Sequence, residues 1–235
     1  MQGGKKKLVK KGLPGNFLKI IALITMTMDH AGLMLFPQCA WLRILGRLAF
    51  PLYAYMIAEG CRYTKNMARY FGSVAFVGVV CQLVYWFAMG SLYMCIMVTF
   101  SLSIALIALV KEVTQRGGIL RHLALTAAVA GVFFLCHGLP ALLPDTDFSI
   151  DYGFIGVMIP VLIYLGTNAV SRLVLAGIGL AMLAATLGGI QWYGLLALPL
   201  LALYSGRRGK GKLKWLFYLY YPAHLVILYA LSMVQ

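Results

Sequence analysis

Long runs of apolar residues, separated by short polar breaks, cover almost the whole chain. A helix needs about 20 such residues to cross the hydrocarbon core of a bilayer. The runs predict nine helices, of which the sixth and eighth are short, so that eight or ten would also fit. The predicted ranges are 17–36, 41–60, 70–89, 92–110, 119–138, 152–167, 170–187, 190–205 and 215–234. The pattern therefore predicts an all-α, polytopic membrane helix bundle.

Composition supports this class of protein. Hydrophobic residues make up 62% of the chain and charged residues only 11%, whereas about a quarter of a soluble domain is charged. The basic N-terminus followed by an apolar run is similar to a signal peptide, but no small-residue cleavage site follows, which favours a retained first helix. No linker or internal repeat divides the chain. We therefore predict a basic cytoplasmic segment at 1–16 and a single transmembrane domain at 17–235.

The placement of basic residues predicts the orientation. A net charge of +14 could suit nucleic acid, but the charges form short clusters between apolar runs, which is typical of the positive-inside rule and argues against a nucleic-acid partner. With the N-terminus inside, 18 of the 20 Lys and Arg lie in or beside the inner segments. These segments are 1–16, 61–69, 111–118, 168–169 and 206–214. Only Arg43 and Arg47 remain for the outer side, so we predict the N-terminus inside and the C-terminus outside.

Several polar residues fall inside predicted helices at one depth. Asp29 lies six or seven residues from the outer end of the first helix, and Arg47 lies as deep in the second. A charge in hydrocarbon costs about 2.5–3.5 kcal/mol even on a lenient scale. We therefore predict that Asp29 pairs with Arg47, either to fix helix packing or to serve a function. Gln82 and His224 fall in the same layer of the membrane.

Histidine is the side chain best suited to proton transfer near neutral pH, and His30 and His224 are the candidates for it. Successive helical residues point about 100° apart, so Asp29 cannot orient His30. We expect its partner on another helix, with Gln82 or a tyrosine as options. His122 is predicted to be solvated and His137 to be interfacial.

Other features change the picture less. Glu59 is interpreted as a surface partner of Arg62, and Pro51 predicts a kink in the second helix near Arg47. The cysteines have no metal-site spacing and are interpreted as packing residues, so no metal is expected. They are Cys39, Cys61, Cys81, Cys95 and Cys136. No GxSxG, P-loop or HExxH motif occurs.

Four segments carry a resemblance to a known family. They are "LKIIALITMTMDHAGLMLFP" with "LRILGRLAFPLYAYMIAEGCRYTKN", then "DYGFIGVMIPVLIYL", then "LFYLYYPAHLVILY". In this order, from about Leu18 to Tyr229, they resemble the TraX family of membrane proteins. The resemblance implies a polytopic acetyltransferase of the bacterial cytoplasmic (inner) membrane. The family's namesake is associated with N-terminal acetylation of conjugative pilin, and the family is similar to larger membrane acyltransferases that acetylate sugars.

Three motifs of the family map onto this chain: Met28, Asp29 and His30; Arg47 and Pro51; and Tyr221, Pro222 and His224. The resemblance implies that the domain at 17–235 is acyltransferase-like. From this we expect acetyl-CoA as the donor substrate, with an unidentified acceptor at the outer face and membrane lipids as the other partners. The expected catalytic residues are His30, Asp29, Arg47 and His224. The expected acceptor-binding residues are Arg43, Gln82, Tyr220, Tyr221, Asp151 and Tyr152. The expected contacts to acetyl-CoA are Arg62, Lys65, Arg69 and Lys214.

The hypothesis places a polar cavity between the first, second, third and ninth predicted helices. His30 acts there as general base, while Arg47 or a tyrosine near His224 stabilises the oxyanion. Two alternatives stay open at this point. Asp, Arg and His inside a membrane also suit a transporter or flippase, although such proteins more often show repeat symmetry. A non-catalytic membrane assembly factor is the other alternative.

Overall fold

The computed structural model describes residues 12–207, 209 and 214–234, with only the backbone at 214, 215, 217 and 218. In this part of the chain, helical segments follow one another at the nine positions that the hydrophobic pattern predicts. The helices are α1 (Gly15–Met34), α2 (Ala40–Gly46), α3 (Ala49–Tyr63), α4 (Met67–Met89), α5 (Ile96–Arg116), α6 (Ile119–Phe133), α7 (Leu139–Leu142), α8 (Gly153–Leu165), α9 (Ala169–Leu187), α10 (Ala197–Ala202) and α11 (Lys214–Ser232). A π-helical turn (Phe134–Gly138) joins α6 to α7, and a 3-10 helix (Gly189–Leu196) leads into α10.

Five helices of the described chain are long and apolar enough to cross a membrane: Gly15–Met34, Met67–Met89, Ile96–Arg116, Ile119–Leu142 and Ala169–Leu187. Shorter apolar helices cover Gly153–Leu165, Gly189–Ala202 and Leu219–Ser232. The chain is therefore a polytopic helical membrane protein. The exact number of crossings and the side on which each end lies remain predictions.

The second predicted helix is broken rather than continuous. α2 ends at Gly46 and α3 begins at Ala49, with Arg47 and Leu48 between them. Pro51 has no N–H, so it cannot donate to the carbonyl of Arg47 one turn earlier. The kink predicted from Pro51 is thus present as an interruption at Arg47, which is also the charged residue of the site.

The predicted start of the fourth helix at residue 92 is wrong, because the chain is extended there. The N–H of Leu92 is donated to Asp147 Oδ1 (2.8 Å), and the N–H of Met94 is donated to the carbonyl of Ser149 (2.8 Å). α5 therefore begins four residues later, at Ile96, and continues beyond the predicted end to Arg116. The segment before α5 and the segment before α8 are held together as one loop layer.

Segments that the charge pattern assigns to one side contact each other. At one end, the N–H of Leu13 is donated to the carbonyl of Leu203 (2.8 Å), and that of Gly15 to the carbonyl of Arg207 (2.7 Å). At the other end, next to the loop layer at 91–94 and 147–151, the Tyr229 hydroxyl donates to the carbonyl of Ala88. The two groups of connections therefore lie at opposite ends of the bundle, as alternating crossings require.

The core lies where α3, α5 and α8 pack against one another. Leu52, Phe100 and Ile159 are almost completely buried there. By contrast, the apolar segment Ile119–Leu142, which begins with α6, is only 11% buried within the protein. It is therefore peripheral and presents apolar side chains outward, as lipid contact requires. α1, α2 and α11 pack at the side of this core and carry the polar residues of the site.

Candidate functional site

Asp29 is the centre of an ion cluster between α1 and α2. Its Oδ2 atom pairs with Arg47 and lies 3.1 Å from Arg43 Nη1. The two arginines are four residues apart, so they project from one face of a helix towards the same carboxylate. The pairing predicted for Asp29 and Arg47 is present, and Arg43 is added to it. Arg47 is only 6% exposed, so its charge depends on this partner.

Two glycines let α1 and α2 approach closely enough for this pairing. A Cβ atom at Gly46 would lie 2.4 Å from both Cβ and Oδ1 of Asp29. A Cβ atom at Gly32 would lie 2.9 Å from Leu42 Cβ. Sequence reasoning singled out the charged residues and missed Gly46, although its position directly before Arg47 was the available signal.

The ion cluster continues into the turn before α8. Arg47 Nη1 donates to the hydroxyl of Tyr152 (3.4 Å), and the Tyr152 ring stacks on Phe50 with the ring centroids 4.0 Å apart. Tyr152 has φ of 59°, and it has the only positive φ among the non-glycine residues described. Such a backbone conformation is costly for a side chain of this size and persists where the surroundings fix it. The turn thereby directs Tyr152 at Arg47.

Asp151, directly before Tyr152, is held by the loop at the outer end. The Tyr93 hydroxyl donates to Asp151 Oδ1 (2.6 Å), and the Thr99 hydroxyl donates to the Asp151 carbonyl (2.7 Å). Burial raises the pKa of Asp151, and the bond from Tyr93 acts against that rise. Asp151 therefore anchors the turn that carries Tyr152.

His30 and His224 form a pair across α1 and α11. His224 Nε2 lies 3.1 Å from His30 Nδ1, and the two ring centroids are 5.0 Å apart. The partner of His30 lies on another helix, as predicted, but it is a histidine and neither Gln82 nor a tyrosine. His224 is 4% exposed, whereas His30 is partly accessible.

The backbone determines which nitrogen atoms of the pair carry protons. His224 Nδ1 lies 3.0 Å from the carbonyl of Tyr220, and His30 Nδ1 lies 3.1 Å from that of Met26. A carbonyl only accepts, so each Nδ1 is the protonated nitrogen of a neutral ring. His30 Nδ1 has a single proton, which it shares between the Met26 carbonyl and His224 Nε2, and the remaining lone pair of His30 is on Nε2. This tautomer is assigned from the hydrogen-bond partners.

Tyr220 and Thr27 support the histidine pair from one side. The Tyr220 ring stacks on the His224 ring, with centroids 5.4 Å apart. Thr27 Oγ1 donates to the carbonyl of Leu23 (2.9 Å) and lies 2.8 Å from the Tyr220 hydroxyl. The single proton of Thr27 is used on Leu23, so the Tyr220 hydroxyl donates to Thr27. Tyr220 is therefore a support for the pair and has no free proton to give.

A cavity of about 580 Å³ is lined by residues of α1, α3, α4, α5 and α11 and by Tyr204 and Gly206, which follow α10. Its inner end is near Gly15 and Thr64, at the ends of α1 and α3, and its deep end includes Tyr53, Phe100 and Tyr221. The Tyr221 ring is 5.3 Å from that of His224. The polar cavity predicted around His30 and Arg47 is not this one, because none of the four expected catalytic residues lines it and it extends from the inner end of the bundle.

The predicted phosphate contacts differ in their surroundings. Arg62 donates through Nη2 to the carbonyls of Tyr164 (2.6 Å) and Gly166 (2.8 Å), so its guanidinium is used inside the protein. Lys65 and Arg69 are exposed at the same end of the bundle. The side chain of Lys214 lies outside the described part of the structure.

Glu59 is not the surface residue that its position near the end of a helix suggested. It is 4% exposed, and its Oε1 atom pairs with Arg172 of α9, while Arg62 Nε is 3.9 Å away. Glu59 also lines the cavity. Its main partner, Arg172, lies 113 residues further along the chain, so the sequence around Glu59 gives no indication of the pairing.

Gln82 is unusual because both polar atoms of its side chain are buried and have no hydrogen-bond partner within the described residues. His137 and His122 are both exposed. The five cysteines are free thiols, four of them buried. In the described ranges, no three His, Cys, Asp or Glu side chains are grouped as metal ligands.

Helices of this kind, enclosing a buried Asp–Arg cluster and a histidine pair, define a polytopic membrane protein with an intramembrane polar site. The family model described as TraX protein matches residues 14–232. The chain belongs to the TraX family.

Two curated relatives match shorter segments. The probable fimbrial assembly protein FimC, serogroup H1, of Dichelobacter nodosus is 38% identical over 69 residues, which are 28% of this chain and 28% of the relative. An uncharacterized protein of Rickettsia prowazekii (strain Madrid E) is 35% identical over 68 residues, which are 29% of this chain and 25% of the relative. The matched segments span only about a quarter of each relative. No solved structure matches the chain.

Proposed function

We propose that this protein is an integral membrane acetyltransferase. It would move an acetyl group from cytoplasmic acetyl-CoA to a hydroxyl or amine at the outer side of the membrane. The observation that carries the proposal is the His30–His224 pair, because its hydrogen bonds leave a basic lone pair on His30 Nε2. A neutral imidazole with one nitrogen fixed and the other free is the arrangement that general-base catalysis requires.

The roles of the two histidines differ in this mechanism. His30 Nε2 takes the proton from the acceptor as its oxygen or nitrogen attacks the thioester carbonyl. The resulting imidazolium keeps its Nδ1 proton directed at His224 Nε2, which stabilises the charge. The CoA thiolate leaves when the tetrahedral intermediate collapses, and the His30 proton is available to it. His224 therefore acts as a positioning residue for the base.

We assign stabilisation of the oxyanion to Arg47, which lies outside the lining of the cavity. Two of its nitrogens are used by Asp29 and Tyr152, but its buried Nε has no partner among the described residues. A buried N–H without an acceptor is costly, and a developing oxyanion would supply one. A donor of this kind is typically worth about 2.7–4 kcal/mol in the transition state. Asp29, held by Arg43 and Arg47 together, fixes the guanidinium.

The cavity supports entry of the donor from the inner side. It begins between the ends of α1 and α3 that the charge pattern assigns to the cytoplasm, and it ends at Tyr221, whose ring centroid is 5.3 Å from that of His224. Its volume is in the range of small-molecule sites. Exposed Lys65 and Arg69 at the inner end are available for the phosphates of CoA.

The acceptor would approach from the opposite side, where the residues of the ion cluster and Gln82 carry polar atoms. A cell-surface glycan, a lipid-linked sugar and a peptide N-terminus all present a suitable nucleophile. The namesake of the family is associated with pilin, and one relative is named as a fimbrial assembly protein. The N-terminus of a surface-fibre subunit is therefore the first acceptor to test.

The experiment is CoA release from acetyl-CoA by the purified protein in nanodiscs, measured with and without an acceptor mixture. Wild-type protein should release CoA, and His30→Ala should abolish release while the variant remains folded. Full activity of His30→Ala would overturn the mechanism. Substrate uptake into vesicles without CoA release would point to a transporter, and the absence of both would point to an assembly factor.

A further inference from the structure

The inner mouth of the cavity carries an aromatic side chain that neither the ion cluster nor the histidine pair uses. Tyr63, the last residue of α3, lines the cavity and is 65% exposed, more than any other tyrosine whose side chain the structure describes. The other tyrosines of the cavity wall are buried or half-buried. Most of the Tyr63 ring is therefore free of protein contacts at the edge of the cavity.

Tyr63 directly precedes a hydrogen-bonded turn that carries basic side chains. In the turn between α3 and α4, Thr64 Oγ1 donates to the carbonyl of Asn66 (3.1 Å), and Asn66 Oδ1 accepts the N–H of Arg69 (2.8 Å). Lys65 and Arg69 are exposed there. An aromatic ring next to cations is a combination with which proteins hold nucleotides, because the ring stacks on the base while the cations meet the phosphates.

The mouth also has aromatic surface on the side of α4. A Cβ atom at Gly60 would lie 2.4 Å from the hydroxyl oxygen of Tyr70, so the Tyr70 side chain lies directly against the backbone of α3, one turn before Tyr63. Gly60, Tyr63 and Tyr70 all line the cavity. The mouth thus presents aromatic side chains from two helices, which suits a planar ring.

The length of the cavity agrees with a ligand that has its base at the mouth. Tyr53 lines the deep end and Tyr63 the mouth, and they are ten residues apart on α3, which is about 15 Å at 1.5 Å per residue. In CoA, the pantetheine arm separates the thiol from the nucleotide. A donor that has its thioester at the deep end and its arm extended along α3 places its nucleotide near the mouth.

We infer that the Tyr63 ring stacks on the adenine base of CoA at the inner mouth of the cavity. The inference rests on the proposed function, in which this cavity holds acetyl-CoA. Other adenine nucleotides carry the same base, and ATP represents them in the test. Tyr63 would touch the donor far from the reacting carbonyl, so it is a specificity residue and takes no part in acyl transfer.

Binding is measured by calorimetry in nanodiscs with four probes: CoA, adenosine 3′,5′-bisphosphate, ATP, and 4′-phosphopantetheine, which has the arm and a phosphate but no base. Tyr63→Ala should raise Kd for CoA and for the bisphosphate about 5- to 150-fold, the usual loss when an aromatic side chain that stacks on a base is removed. Kd for phosphopantetheine should not change, which also shows that the cavity of the variant is intact. Tyr63→Phe keeps the face of the ring and should bind CoA as wild type does.

Tyr193→Ala is the matched control, because Tyr193 is also exposed (42%) but belongs to the 3-10 helix and not to the cavity wall. It should leave every Kd unchanged. An unchanged Kd for CoA in Tyr63→Ala, equal losses in Tyr63→Ala and Tyr63→Phe, or an equal loss for phosphopantetheine would each overturn the inference. ATP lacks the arm, so tighter binding of ATP than of CoA would reject CoA as the ligand.

These binding results are independent of turnover. In an active protein, Tyr63→Ala should raise KM for acetyl-CoA and leave kcat unchanged, because the base is remote from the reacting carbonyl. CoA release with a KM that does not depend on Tyr63 would overturn the inference and leave the acetyltransferase in place. CoA binding that depends on Tyr63 without any CoA release would support the base site and reject the acetyltransferase reaction.

Discussion

His224 Nε2 accepts the proton of His30 Nδ1 across 3.1 Å, and this contact joins α11 to α1. The Tyr220 carbonyl fixes the tautomer of His224, and the Met26 carbonyl fixes that of His30. The chemistry proposed for His30 therefore depends on carbonyls of both helices. A single histidine in the same membrane layer would lack the acceptor that His224 provides.

The first prediction distinguishes the role of His30 as the base from the role of His224 as a positioning residue. His30→Gln should lower the rate of CoA release about 10²- to 10⁴-fold, which is the usual contribution of a general base. His224→Phe keeps an aromatic ring beside Tyr220 but removes the acceptor, and it should lower kcat by about tenfold with little change in KM. Stopped assays of CoA release measure both values. His122→Gln is the control, because His122 has the same bond to a carbonyl four residues earlier but no second histidine.

Asp29→Asn should destabilise the protein by about 3–5 kcal/mol, because it leaves the buried Arg47 without its counter-charge. Adding Arg47→Gln should recover part of that loss, since the double variant has no uncompensated charge at this position. Unfolding in detergent, followed by circular dichroism, reports the free energy. Glu112→Gln, which breaks an exposed pair with Arg116, should change stability by less than about 1 kcal/mol. Equal effects at Asp29 and Glu112 would contradict the burial argument.

Gly46→Ala tests the close approach of α1 and α2. The new methyl group would overlap the Asp29 side chain and approach its Cα to 2.7 Å, so the helices must separate. We expect a loss of about 1–3 kcal/mol and a lower rate of CoA release, both measured on the same preparation. Gly72→Ala in α4 has open space around the added atom and should be neutral or stabilising by up to about 1 kcal/mol.

The predicted orientation can be tested by labelling introduced cysteines. Asp145→Cys and Lys65→Cys place exposed thiols at opposite ends of the bundle, in a background where the half-buried Cys39 is replaced by serine. With the N-terminus inside, a membrane-impermeant maleimide should label position 145 in intact spheroplasts and position 65 only after permeabilisation. The reverse pattern would place the donor cavity on the outer side.

The fold could be predicted closely from the hydrophobic pattern, because the bilayer restricts which backbone structures can span it. Runs of about 20 apolar residues have no stable alternative to a helix in hydrocarbon, so helix positions were predictable. The break at Arg47 was indicated by Pro51. The start of α5 was not, because "SLYMC" is apolar enough to continue the helix and is held extended by contacts with Asp147 and Ser149.

For the site, sequence separation decided what could be predicted. Asp29 and Arg47 lie on consecutive helices, and matching their depths was enough to pair them. His30 and His224 are 194 residues apart, and depth alone left several partners for each. Glu59 sits one turn from the end of α3, where charges are normally solvated, and only its partner Arg172 on α9 shows that it is buried.

The histidine pair joins the first described helix to the last one. A ribosome making this chain inserts His30 early, and His224 follows only after the seven predicted helical segments between them have been synthesised. Until then His30 lacks the acceptor that His224 provides, and the cavity lacks the wall that Tyr221 provides. In the proposed mechanism, incomplete chains released from the ribosome are therefore inert and do not hydrolyse acetyl-CoA.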